Sequence, residues 1–212
     1  MEVLLKKLDD LKISPIADVI EDRIKEFENA GKKREEDVFG ELCFCLLTAN
    51  FQAEKCIQIQ KDLGRAKGFE IFPEERLAEE LKKHGHRFPN TRAKYIAEAR
   101  SCTIDLHDNL MKKSGKDMRL WLAENVKGLG MKEASHFLRN IGYKDVAIVD
   151  FHIIDLLVRE GIISFDRKSK SLSKNMYLEI EGVLEGISRS AGLDLARLDL
   201  YLWYMETGKV LK

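Results

Sequence analysis

The sequence predicts an all-α fold, on two observations. Apolar residues recur at helical spacing along the chain, as in Leu106, Leu110 and Met111 or Leu120, Leu122 and Val126, while runs with the two-residue alternation of a strand are scarce. The composition agrees: 34% charged residues with only three prolines suits a helix-rich chain, and 44% hydrophobic content over 212 residues supplies a sizeable core.

Taken in order, helices are predicted over about 15–30, 37–50, 52–65, 74–83, 90–112, 116–125, 131–141, 151–160, 173–190 and 193–207. Small or rigid residues interrupt the pattern in three connectors, GHRFPN (85–90), VKGLGM (126–131) and GYKDVAIV (142–149), and the last two flank a single helix. The basic, serine-rich stretch DRKSKSLSK (166–174) predicts an exposed loop. No repeat at solenoid spacing and no linker divides the chain.

Composition also narrows the function classes. No stretch approaches the roughly 18 apolar residues of a membrane span. The opening MEVLLKKLDD carries acids where a secretion signal has a basic segment and an apolar run. An intracellular protein is expected, cytoplasmic or nucleoid-associated in a prokaryote. Cys43, Cys45, Cys56 and Cys102 form no CxxC pair, which argues against a structural zinc site or a disulfide framework. The 36 basic residues cancel the 36 acidic ones, but their distribution is uneven. Lys82, Lys83, Arg87, Arg92, Lys94 and Arg100 face one acid, Glu98, with His84 and His86 interleaved; this is either a solvated helix face or a surface for nucleic acid.

Three features carry possible chemistry. In Asn125-Val126-Lys127-Gly128-Leu129-Gly130-Met131-Lys132, two glycines one residue apart join two helices around the apolar tip Leu129. That is an ordinary interhelical turn or, because helix-opening amides point outward as donors, a clamp for phosphate. Lys132 falls in the first turn of the helix KEASHFLRNIG, where the macrodipole disfavours a cation, and a lysine nucleophile must be neutral to attack carbon. A surface lysine is the plain alternative. Asp150 follows the apolar run 146–149 and opens the helix FHIIDLL, so it is an N-cap; its carboxylate can satisfy orphan amides, stabilise positive charge on a sugar, or do both.

Gly128-Leu129-Gly130-Met131-Lys132, followed eighteen positions later by Asp150 within VDFH, resembles the helix-hairpin-helix, Gly/Pro-rich, aspartate superfamily of DNA glycosylases. Within it the chain looks like the compact archaeal-type 8-oxoguanine DNA glycosylase family, through FCLLTANFQA, RFPNTRAKYI, the hairpin and the end LDLYLWYMETGKVLK. No cysteine follows Cys102, unlike the iron-sulfur endonuclease III branch, and the chain has no room for the β-domain of the eukaryotic-type enzymes.

The resemblance implies a single two-lobed unit over 1–212, with the hairpin at about 116–141 and the active-site cleft between the lobes. It implies a bifunctional enzyme that excises 8-oxoguanine with Lys132 as nucleophile and Asp150 as carboxylate partner, then nicks the strand by β-elimination. By position, Phe88 and Trp203 would stack on the base and Lys212 would read it; read alone, the two aromatics are core residues. Gly128, Gly130 and His152 would contact the DNA backbone, and the carbonyls of Glu124, Val126 and Leu129 would hold a monovalent cation. The expected partner is double-stranded DNA containing 8-oxoguanine, bound by a monomer without cofactor, catalytic metal or membrane. A glycosylase for another damaged base and a noncatalytic DNA-binding hairpin stand as the alternatives.

Overall fold

The apolar periodicity becomes helices, and no strand occurs among the described residues, which are 1–65, 67–166 and 172–212 of a computed structural model. The loop expected at 166–174 lies largely outside them. In order the helices are α1 (Glu2–Lys12), α2 (Ile16–Ala30), α3 (Glu35–Thr48), α4 (Ala53–Arg65), the single turn α5 (Gly68–Ile71), α6 (Glu74–Lys83), α7 (Pro89–Ala99), α8 (Thr103–Leu110), α9 (Gly115–Asn125), α10 (Met131–Asn140), α11 (Phe151–Arg159), α12 (Lys174–Ala191) and α13 (Leu195–Thr207).

Besides the unexpected single turn α5, two departures from the sequence reading stand out and have local causes. Helix α1 was not expected, because in EVLLKKLDDLK only Leu4 and Leu8 are buried, one turn apart, and tertiary packing on α2 and α12 supplies what periodicity alone does not. The helix expected over 90–112 is two helices, α7 and α8, joined by a 3-10 turn at Arg100–Cys102. There the Ser101 hydroxyl donates to the Glu98 carbonyl (2.8 Å) and the Thr103 hydroxyl to that of Arg100 (2.9 Å). Arg100 meanwhile donates to the carbonyls of Phe69 (2.7 Å) and Phe72 (2.6 Å). Side chains that bond nearby backbone compete with the regular ladder, and the helix turns a corner.

The helices bury two separate apolar cores. The first gathers α3 to α10, with Phe44, Phe69 and Phe137 wholly enclosed. The second joins the two ends of the chain, α1 and α2 with α11 to α13, around Leu4, Ile20, Ile154 and Leu157. The segment 146–149 passes from one to the other, since Val146 belongs to the first core and Ala147 and Val149 to the second.

Buried ion pairs help to join the cores. Arg119 of α9, 1% exposed, donates through both terminal nitrogens to Glu181 of α12, 2% exposed, with Nη2 to Oε2 at 2.8 Å. Glu181 Oε1 also accepts from the Ala147 amide at 2.9 Å. A second buried pair, Arg139 Nη1 to Asp199 Oδ2 at 2.9 Å, ties α10 to α13. A buried pair barely outweighs its desolvation, but removing one partner strands the other's charge. Glu181→Ala is therefore expected to lower stability by about 3–5 kcal/mol, read as a shifted midpoint in urea unfolding. A shift under about 1 kcal/mol would mean that water or another acid takes over the Arg119 charge.

Candidate active site

The turn between α9 and α10 is closed by the Leu129 amide donating to the Val126 carbonyl at 3.1 Å, with Leu129 itself buried in the first core. Gly128 has φ +95°, and a Cβ there would stand 2.3 Å from Cδ2 of Tyr95, so both backbone and packing demand glycine. Gly130 differs. It is extended (φ −97°) and caps α10, and its amide donates to Glu133 Oε2 at 3.4 Å; its conformation is open to other residues.

Lys132 is the second residue of α10. Its side chain is 31% exposed, and its Nζ lies 3.4 Å from Glu133 Oε1. Asp150 caps α11, with Oδ1 accepting from the Ile153 amide at 2.9 Å, as its position in the sequence predicts. The extended segment before it is held by side chains of α12. The Tyr177 hydroxyl donates to the Ala147 carbonyl (2.7 Å) and accepts from the Val149 amide (3.2 Å), while Glu181 takes the Ala147 amide. These bonds fix the backbone that delivers Asp150. Burial pushes the Tyr177 phenol up, so it stays a neutral donor.

Between the cores opens a cavity of about 1140 Å³, lined by Gly130, Lys132, Asp150, His152, Trp203 and Lys212. Chain positions up to 164 residues apart, Thr48 and Lys212, thus meet at one site. Trp203 has its Nε1 buried and without a hydrogen-bond partner, and its ring and that of His152 stand nearly perpendicular with centroids 5.2 Å apart. The Lys212 ammonium sits over the Phe44 ring at 4.6 Å and bonds both oxygens of Glu41. Phe88 is not brought in. It is the N-cap of α7 and 39% exposed, while its neighbour Arg87 and the aromatic Phe51 line the cavity instead. Gly128 likewise lies outside the lining, packed on Tyr95.

Several lining residues escaped the sequence reading. His136 follows Lys132 by one turn and is 9% exposed; burial pushes its imidazole well below the usual range, and the cations of Arg139 and Lys132 push the same way. Asp199 is pushed up to about 6 by burial, with the Arg139 cation opposing and the Asp150 charge adding. The available signal was an ionisable residue on the buried side of an apolar helix, as in SHFLRN and LDLYLW. Among the described residues no group of three or more His, Cys, Asp or Glu is placed to hold a metal ion, and no helix is long and apolar enough to cross a membrane.

The depressed imidazole has a consequence for stability. Unfolded chain binds a proton at this position below about pH 6.5, whereas the folded state refuses it, so stability is full above that pH and falls as pH drops. His136→Gln should remove up to about 1.4 kcal/mol per pH unit from the slope of unfolding free energy between pH 6.5 and 5. Parallel slopes for the two proteins would show that His136 is protonated in the fold.

The profile of a family described as 8-oxoguanine DNA glycosylase matches residues 20–193. An 8-oxoguanine DNA glycosylase/AP lyase of Korarchaeum cryptofilum is 53% identical over 205 residues, covering 95% of this chain and 94% of that one. The crystal structure of the Methanocaldococcus jannaschii 8-oxoguanine glycosylase/lyase in complex with a 15mer DNA containing 8-oxoguanine superimposes with TM-score 0.94 at 48% identity, covering 99% of this chain and all of that one. The 8-oxoguanine DNA glycosylase of Thermotoga maritima does so with TM-score 0.92 at 44% identity, covering all of this chain and 99% of that one.

Proposed function

The chain belongs to the 8-oxoguanine DNA glycosylase family, and we propose that it excises 8-oxoguanine from double-stranded DNA and then cleaves the strand, with Lys132 as nucleophile and Asp150 as its carboxylate partner. One observation carries the assignment: Lys132 and Asp150, from different helices, open onto the same cavity, which is roomy enough for an extruded nucleotide. The relative crystallised with 8-oxoguanine DNA supports the substrate.

The chemistry follows from these positions. The Lys132 Nζ lone pair forms a bond to C1′ as the glycosidic bond breaks, and the base leaves with that bond's electron pair and a proton. The sugar ring then opens to a Schiff base between Nζ and C1′. Loss of a proton from C2′ expels the 3′ phosphate and nicks the strand. Asp150 spends one oxygen on its cap and keeps the other to stabilise the cationic sugar. Trp203 stacks on the base inside the cavity and Lys212 contacts it there, while Phe88, exposed outside the lining, is free to meet the base only from the duplex side. The Gly128–Gly130 turn and His152 bind the DNA backbone. A carbonyl that accepts one hydrogen bond keeps a second lone pair, so Val126, with Glu124 and Leu129, retains the capacity to hold a monovalent cation there. On this reading the enzyme acts on DNA inside the cell, as a monomer.

Borohydride should covalently link the protein to 8-oxoguanine duplex, and peptide mapping should place the adduct on Lys132. An adduct surviving in Lys132→Ala would move the nucleophile elsewhere. Asp150→Asn keeps a cap and loses a charge, so it should fold normally and excise about 100-fold more slowly in single turnover. Near-normal excision by that variant would leave Asp150 a purely structural residue.

A further inference from the structure

Glu41 is an acid in the otherwise apolar run ELCFCLLT of α3, with its side chain only 15% exposed. A carboxylate so placed is costly unless its lone pairs are met, and here they are met from three directions. Lys212 Nζ bonds Oε1 at 2.7 Å and Oε2 at 3.0 Å; Gln60 Nε2 of α4 donates to Oε1 at 3.1 Å; Asn140 Nδ2 of α10 donates to Oε2 at 3.4 Å. The Phe44 ring closes the seat beneath the ammonium at 4.6 Å.

Besides Glu41, the end of the tail that carries Lys212 is met by the His136 imidazole, which bonds the Lys212 backbone. After Gly208, whose amide closes α13 on the Tyr204 carbonyl, the Lys209 amide bonds the Thr207 side chain, and Val210 packs on the second core. The Lys209–Glu54 pair is more than half exposed on both sides and contributes little. The tail therefore leaves the second core and is anchored across the cavity on the first core by Glu41.

We propose that Glu41 is a positioning residue for base recognition: its carboxylate, braced by Gln60 and Asn140, seats Lys212 at the inner wall of the cavity and so sets how well the enzyme engages the extruded purine. This rests on the reading of Lys212 as a base contact. The seat is remote in chain and role from Lys132 and Asp150, so it bears on entry and fit of the base rather than on attack at C1′.

The test compares single-turnover excision from an 8-oxoguanine duplex with strand cleavage at a preformed abasic site, which holds no base. Glu41→Gln should slow the first by about tenfold or more and the second by less than about twofold, and Glu41→Asp should recover part of the loss. In the double variant Glu41→Gln with Lys212→Met, excision should be no slower than with Lys212→Met alone, because both changes break one contact. Gln60→Met should show the same pattern more weakly, and it serves if Glu41→Gln does not fold. Equal slowing on both substrates, or additive losses in the double variant, would make Glu41 a structural residue and overturn the proposal. If Lys212→Met excises 8-oxoguanine normally, the reading of Lys212 fails. If Lys212→Met is slow while Glu41→Gln is normal, only the role of Glu41 fails.

Discussion

The arrangement depends on one buried carboxylate, Glu181, which neutralises Arg119 and accepts the Ala147 amide. Two apolar cores that merely touched could slide, since burial of hydrocarbon is indifferent to direction. A bidentate ion pair is not indifferent: it fixes the separation and twist of α9 and α12, and through Ala147 it fixes the extended segment between the cores. Arg139 and Asp199 repeat the device between α10 and α13. The seam between the cores is thus polar and directional, and the cavity lies along it.

That placement explains how the site gathers so many charges. Lys132 belongs to a helix of the first core and Asp150 to one of the second, so their relation is set by the same contacts that hold the cores together. The Tyr177 hydroxyl and the Glu181 carboxylate, which satisfy the backbone leading to Asp150, leave that acid little freedom beyond its own cap. Precision at the reacting groups is inherited from the interior, in keeping with the need to hold catalytic geometry to a fraction of an ångström.

How much was legible in the sequence divides along range of interaction. The hairpin, Lys132 at the head of its helix and Asp150 as a cap could be read because glycine torsion, helix ends and capping are settled within four or five residues. Glu41, His136 and Asp199 could not be assigned, since each is an isolated polar residue in an apolar helix whose meaning lies in partners distant in the chain: Lys212, 171 positions from Glu41, and Arg139, 60 from Asp199. The corner at Arg100 was hidden for the same reason, because its guanidinium reaches back to carbonyls near residue 70. Phe88 shows the converse limit. A resemblance located it by position, but only coordinates show Phe51 and Arg87 at the cavity wall in its stead.

The second core has a further implication for how the molecule is made. The first core draws on a nearly continuous run of chain from α3 to α10, whereas the second needs α1 and α2 to meet helices more than a hundred residues later. During vectorial synthesis the first core can consolidate while α1 and α2 wait, their apolar faces uncovered, until α11 to α13 emerge. Such an exposed, amphipathic opening segment invites association with other chains in the interval. The alternation of Lys and Asp among the apolar residues of α1 keeps that waiting segment compatible with water, and assembly of the catalytic cleft becomes the closing event of folding rather than an early one.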